Sequence, residues 1–468
     1  MLQQTSPSYA LTVRVEYDND VGMLGRLTSV IGNLGADIGA VDVVRTTRAT
    51  TTRDISFLTN DEEHSRDIIQ AVREIDGVDV IHVSDRTFLM HLGGKFEITP
   101  KFPIKNRDDL SMVYMPGVAR VARAIVENPQ DVSNLTIKKN MVAVISDGSN
   151  VLHLGNIGPF AALPVLETKV LFHKEFAGNN AFPLPLQVEN VDQFVQAVKA
   201  IAPAFGAIHL EDISSPACFE IEKRLNEELD IPVLHNDQHG TAIVVLAALI
   251  NSLKILEKTP DKLRLVINGI GPAGLACGRL AKLFGVADII FCDPEGAIHS
   301  GRDDLNASLK EVAETYNPRQ FAGSLAEALV DANVFIGFGR RTVLTRDDIA
   351  RMSADAVVIS VAHPEPDVDP ESIADVARII ATGRSDLPNQ MNNMLCFPGF
   401  FKGLLQARAT KVNDEMKLAA ANAIANVIGS DELNDDYIIP GIFDKRVAVA
   451  VAEAVAEAAK QSGVSRYV

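Results

Sequence analysis

The sequence predicts an α/β chain: a doubly wound parallel sheet and a second α/β domain, preceded by a smaller βαββαβ module. Three observations carry this expectation. Residues 1–92 alternate between period-2 and helical patterns in the order strand, helix, strand, strand, helix, strand. Residues 262–293 read as apolar strand, glycine-rich turn, helix and second apolar strand. Beyond them, ANVFIGFG, AVVISVA and ARIIATG are short, almost wholly apolar runs, as strands covered on both faces should be. A length of 468 residues suits roughly three domains of ordinary size.

Taken in order, YALTVRVEY places Leu11, Val13 and Val15 on one face of a strand. DNDVGMLGRLTSVIGNLGA then sets Leu24, Leu27, Val30, Ile31 and Leu34 at helical spacing, entered through Asp20 and Gly22. IGAVDVVRTT and RDISFLT follow as strands, DEEHSRDIIQAVREI as a helix and VDVIHVSDRTF as a last strand. The first lysine of the chain is Lys95, and a boundary is expected at 92. Residues 93–238 mix helices and strands, with Pro and Gly gathered in turns such as YMPGVAR, SDGSN, LGNIGP and FAGNNAFPLP. The parallel-sheet domain is expected over 239–440. The alanine-rich tail, 441–468, carries too many apolar positions for a free surface helix and is expected to pack on the body or a partner.

Gly269-Ile270-Gly271-Pro272-Ala273-Gly274 satisfies GxGxxG in the setting its mechanism requires, after a strand and at the start of a helix. Gly269 permits the tight turn, Gly271 lets backbone approach a pyrophosphate, and Gly274 allows close packing of helix on strand. Pro272 suits an early helical position, where a missing N–H costs little. Asp293 ends the next strand, placed to accept hydrogen bonds from a ribose. This Rossmann-type pattern predicts a nicotinamide dinucleotide. The acid at 293 favours NAD, because a 2′-phosphate would be repelled, although NADP stays possible where other loops supply cations.

Composition narrows the classes. Sixty-one acidic against 44 basic residues, a net charge of -17, argues against a nucleic-acid surface, which needs a basic stripe. No uninterrupted apolar run reaches the about 18 residues of a membrane span, and no basic-then-apolar leader opens the chain. Cys218, Cys277, Cys292 and Cys396 are widely spaced without a CxxC pair, so a reducing cytoplasm is expected.

Two stretches resemble known families. DNDVGMLGRLTSVIGNLGADI looks like the start of an ACT domain. That resemblance implies a ferredoxin-like module that pairs with another copy and takes a small effector near its glycine-containing strand–helix turn; dimerisation alone is the other reading. LSMVYMPGVA, SDGSNVLHLGNIGPFAALPVLETKVLFHKEFAG, HLEDISSP, HNDQHGTA, the glycine loop and PNQMNNMLCFPG together resemble the bacterial-type malic enzymes across 95–440, in the family's order. The implied chemistry is oxidative decarboxylation of malate to pyruvate and carbon dioxide, with a nicotinamide cofactor and Mg²⁺ or Mn²⁺, in a homodimer or higher oligomer.

Residue by residue, the resemblance puts the base for the C2 hydroxyl on Lys169, with Lys174 as second choice or substrate-carboxylate partner. It puts the acid for the enol carbon on Tyr114, and substrate and nicotinamide contacts on Asn392 and Asn393. The metal set is Glu211, Asp212 and Asp237, three hard oxygen donors after the short apolar runs FGAIHL and IPVLH. Taken alone, Glu-Asp before Ser-Ser-Pro is more often a helix-capping acid pair; the resemblance favours the metal set instead. Burial of Lys169 near a cation is expected to lower its pKa towards neutrality.

Four positions depart from the family pattern. His363 stands in VAHPEPD where an Asn is usual, Asn236 replaces the acid before Asp237, Met115 replaces a Thr, and His153 interrupts a glycine-containing run. Together they leave open a malolactic-type enzyme, another metal-dependent 2-hydroxy-acid dehydrogenase, or a ligand-sensing homologue with altered catalysis.

Overall fold

The computed structural model describes residues 5–152, 154–339, 341–362 and 366–466. His153 and His363 therefore lie outside the described residues. The chain divides into two compact units, Met1–Thr99 and Pro100–Val468.

In the first unit β1 (Ser6–Asp18), α1 (Met23–Asn33), β2 (Asp37–Thr46), β3 (Thr50–Thr59), α2 (Glu62–Arg73) and β4 (Val78–Asp85) follow the predicted βαββαβ order. The antiparallel sheet has the order β2-β3-β1-β4. Alternate residues Leu11, Val13, Val15 and Tyr17 of β1, with Ile55 and Phe57 of β3, bury one face. Leu27, Ile31, Ile68 and Val72 close over it, forming a separate core. Two details depart from the periodic reading. Leu34 lies beyond the end of α1 and is exposed. The last strand stops at Asp85, whose carboxylate accepts from the N–H groups of Thr87 and Phe88 and so starts α3 (Arg86–His91).

The second unit opens with three helices, α4 (Arg107–Val113), α5 (Gly117–Glu127) and α6 (Val132–Leu135), none of which contains a buried residue. Then come β5 (Met141–Ser146), α7 (Gly158–Ala177), β6 (Asn180–Pro185), α8 (Val191–Ile201), β7 (Ala207–Leu210), α9 (Ala217–Glu228), β8 (Val233–His235) and α10 (Asn236–Leu256). These strands form a parallel sheet of order β6-β5-β7-β8. The second sheet contains β9 (Arg264–Asn268), β10 (Asp288–Asp293), β11 (Gly296–Ala297), β12 (Val334–Gly337), β13 (Val357–Ser360) and β14 (Ile379–Thr382). Its order is β11-β10-β9-β12-β13-β14, parallel except for the two-residue β11. The strand order reverses direction at β9, which is where open α/β sheets leave a ligand crevice.

Helices α11 (Pro272–Phe284), α12 (Ala307–Thr315), α13 (Leu325–Ala328) and α14 (Arg346–Ile349) connect the second sheet. Helices α15 (Phe397–Ala407), α16 (Asp414–Ala425) and α17 (Lys445–Gln461) end the unit. α17 packs on the body as expected, burying Val447, Val451, Val455 and Ala459. Gly399 and Gly403 of α15 make its approach possible, since a Cβ on either would lie within 2.7 Å of the carbonyl oxygen of Ala448 or Ala452. The two sheets expected as separate domains share one core through α10, whose apolar side chains pack with Val142, Ala207 and Leu234 on one side and Leu265 and Ile267 on the other. α10 is long and apolar enough to cross a bilayer by length and composition, but 78% of its most apolar stretch is buried within the protein.

Candidate active site

The site is built by strand alternation meeting helix periodicity. On β7, His209 and the following Glu211 point to one side, as residues two apart must. On α7, Lys169 and His173 lie four apart on one stripe. Packed together, these elements pair Lys169 Nζ with Glu211 Oε1 at 2.9 Å and His173 Nε2 with His209 Nδ1 at 2.9 Å. His209 Nε2 in turn donates to Glu211 Oε2 at 2.7 Å.

Glu211, Asp212 and Asp237 each offer an oxygen within 4.8 Å of the others. Asp212 sits just past β7 with φ of 54°, a left-handed conformation that Asp tolerates better than most residues. Its backbone N–H donates to Asp237 Oδ2 at 2.8 Å. Asp237 enters from the first turn of α10, where the helix dipole favours an anion. That turn is anchored by buried Glu222, which accepts from the backbone N–H of His235 and from the side chains of Gln238 and His239. The acid pair at 211–212 is therefore no helix cap: α9 begins at Ala217 without a side-chain cap.

The electrostatics of the three carboxylates differ. Burial opposes the charge of Glu211, but Lys169 and His209 more than offset it and hold its carboxyl well below the usual range. Burial and the neighbouring Glu211 push Asp212 up to about 7. Burial, Glu211 and Asp212 push Asp237 up as well. Asp212 Oδ2 is buried and has no hydrogen-bond partner among the described residues. An all-oxygen set that resists sharing its own negative charge, with one orphaned oxygen, fits a hard divalent cation such as Mg²⁺ or Mn²⁺.

Lys169 departs from expectation in one respect. Burial lowers its tendency to carry charge, yet Glu211, Asp237 and Asp212 together hold its pKa above the ordinary value. A bound cation is expected to lower it; in the chain alone the carboxylates dominate. Phe397 lies beneath the ammonium, 5.2 Å from Nζ to the ring centroid, and Asn393 Oδ1 accepts from it at 3.4 Å.

The glycine loop borders the same cavity, of about 500 Å³, which Lys169, Glu211, Asp212, Asp237, Thr241 and Asn393 also line. A Cβ at Gly274 would fall 2.1 Å from the carbonyl oxygen of Gly269, and one at Gly269, with φ of 118°, would press on Phe338. At Gly271 the missing Cβ leaves open space, the room a pyrophosphate needs. Ile270, Asp293 and Glu295 line an adjoining cavity of about 530 Å³ that shares Gly269 and Phe338 with the first. Asp293 is oriented by Arg302, which donates to Oδ1 at 2.8 Å.

Three predicted residues fall outside the cavity lining. Asn392 turns back to accept from the backbone N–H of Met394. Lys174 is exposed and donates to Asn180. Tyr114 is 64% exposed, beside exposed Met115. Asn236, by contrast, belongs to the site: it is fully buried and donates to Glu211 Oε2 at 3.1 Å. Two further residues behind the site, His173 and His209, carry a sequence signal in Lys-x-x-x-His on a helix and His-x-Glu on a strand.

The chain is similar to known proteins over nearly its whole length. Residues 238–460 match the family described as malic enzyme, NAD binding domain; residues 93–190 and 187–226 match malic enzyme, N-terminal domain; residues 5–82 match ACT domain. The chain is 50% identical to the NAD-dependent malic enzyme of Geobacillus stearothermophilus, over 97% of this chain and 95% of that protein. It is 49% identical to the bifunctional malic/malolactic enzyme of Bacillus subtilis, over 80% of this chain and 92% of that one. Among solved structures, the NAD-dependent malic enzyme of Thermotoga maritima is similar at a TM-score of 0.77 and 42% identity, over 80% of this chain and 99% of that one.

Proposed function

The chain belongs to the malic enzyme family, and from that premise we propose how its residues divide the oxidative decarboxylation of malate to pyruvate and carbon dioxide with reduction of NAD. The observation that carries the reading is one cavity lined by the glycine loop, Lys169 and three clustered carboxylates. When bound, a divalent cation supplies Lewis acidity at the C2 oxygen and the nicotinamide supplies a hydride acceptor. Glu211, Asp212 and Asp237 would hold the cation. With its carboxylate partners neutralised by the cation, Lys169 would release its own proton to solvent and, as the neutral amine, take the C2 hydroxyl proton. Asn393 orients Lys169 and the substrate. Asp293, aligned by Arg302, receives the adenosine ribose, which favours NAD over NADP. The test is steady-state turnover with malate, Mn²⁺ and each nicotinamide cofactor: NADH accumulation supports the reading. Lactate without net NADH would support the malolactic alternative, which similarity to a bifunctional malic/malolactic enzyme keeps in view.

Tyr114 is assigned the proton for the enol carbon, and its position bears on assembly. From Arg107 to Leu135 the chain exposes Leu110, Met112, Val113, Tyr114, Met115, Val118, Val121 and Val126. So many exposed large apolar side chains within one short stretch suit an interface. The proposed occupant is a second copy, with one chain's Tyr114 completing the other's site in an isologous dimer. Mixing Tyr114→Phe with Lys169→Ala subunits is then expected to restore roughly a quarter of wild-type activity after statistical exchange. Mixtures as inactive as the two parents would place both residues in one chain.

The ACT domain is assigned a small-molecule effector at the turn between β1 and α1. There Gly22, with φ of 96°, caps the helix without a side chain, leaving N–H groups for an anionic ligand. A thermal-shift screen of amino acids and carboxylic acids on the full chain is expected to find a stabilising ligand whose effect is lost in Gly22→Val. The four free, buried cysteines fit a cytoplasmic location.

A further inference from the structure

We infer that His209, backed by His173, is a positioning residue that fixes Glu211 for the divalent cation. The inference rests on the metal-site reading above and extends it to two histidines outside the carboxylate set.

The directions of the hydrogen bonds follow from the acceptor at one end. An ionised carboxylate can only accept, so His209 Nε2 carries a proton towards Glu211 Oε2, 2.7 Å away. A neutral imidazole then has a bare Nδ1, which accepts from His173 Nε2–H at 2.9 Å. His173 Nδ1 is left as acceptor and faces Asn179 Nδ2 at 3.5 Å, an amide that also donates to the carbonyl of Pro398 at 3.0 Å. The tautomers of both rings are set along one line that ends on Glu211.

Both imidazoles are completely buried. Phe401 stacks on His209 with centroids 5.0 Å apart, and Phe397 lies 5.1 Å from each histidine ring. Water has no access to replace a missing donor, so the hydrogen bond is a stiff constraint. With His209 and Asn236 both on Oε2, the carboxylate cannot rotate freely, and Oε1, the oxygen shared with Lys169, remains for a cation. Partners that orient a metal-binding carboxylate commonly change metal affinity by about 10–100-fold when removed.

The experiment is Mn²⁺ binding to the full chain without substrate, followed by electron paramagnetic resonance. His209→Phe keeps an aromatic ring against Phe401 but removes the donor; a dissociation constant about 10–100-fold higher is expected, with NAD affinity unchanged. His209→Gln, whose amide can donate to Glu211 and accept from His173, is expected to recover most of the loss. Wild-type affinity in His209→Phe overturns the inference, and so does a His209→Gln protein as weak as His209→Phe, because ring packing would then be the cause. Should His209→Phe not fold, His173→Phe takes its place: it frees the tautomer in which Nε2 cannot donate, so weaker Mn²⁺ binding is expected and unchanged binding overturns the inference. Failure of the wild-type chain itself to bind Mn²⁺ would instead overturn the metal-site reading.

Discussion

Lys169→Ala will abolish malate-dependent NADH formation while leaving NAD binding intact. A positioned general base contributes about 10²–10⁴-fold, and at least that loss in kcat is expected. No other lysine lines the cavity among the described residues, and Lys174 is turned to solvent, so no neighbour can take over. On the proposed reading the dinucleotide is held by the glycine loop before α11 and by Asp293, none of which touches Lys169, so fluorescence titration with NADH should give the wild-type dissociation constant. Lys169 also neutralises Glu211 at 2.9 Å. Its removal leaves the carboxylates less balanced, so the cation-free variant should melt lower than wild type and regain more on adding Mn²⁺. Near-full turnover in Lys169→Ala would sink the mechanism.

Asp212→Asn will trade metal binding for stability. Asparagine is isosteric and among the few residues at ease with φ of 54°, so the backbone is retained. Loss of a direct ligand should cost more than the about 10–100-fold typical of an outer partner, in Mn²⁺ affinity and in turnover. The stability effect has the opposite sign. In the cation-free chain Asp212 titrates at about 7, whereas an unfolded Asp titrates near 3.9. Between those values the folded state holds a proton that the unfolded state has lost, so stability falls as pH rises through that window and levels off above it. Asparagine carries no such proton. Cation-free Asp212→Asn should therefore melt higher than cation-free wild type at pH 8, and the difference should shrink towards pH 4. A variant that binds Mn²⁺ like wild type, or melts lower at pH 8 without it, contradicts this account.

How much of this was legible beforehand varied with the range of the forces involved. The βαββαβ order, the parallel strands β12 to β14 and the glycine loop were all readable, because period-2 alternation, buried apolar runs and the steric demands of a turn act between near neighbours in sequence. The pattern carries the last strand on to Phe88, but Asp85, which pairs with Leu11 at the end of β4, also caps α3 and so turns the chain into a helix.

The sequence by itself determined the residue types of the site and the elements that carry them: carboxylates after β7 and in the first turn of α10, a lysine on α7, glycines after β9. Tertiary structure alone decided which of them meet. It placed Lys169 on Glu211, turned Asn392 and Lys174 away, put His209 and His173 behind a carboxylate, and left Tyr114 outside the cavity of its own chain. The physical reason is that burial and Coulomb interactions depend on distance in space. Residues 169, 211 and 237 are far apart along the chain and acquire their charge states only when α7, β7 and α10 pack together and exclude water.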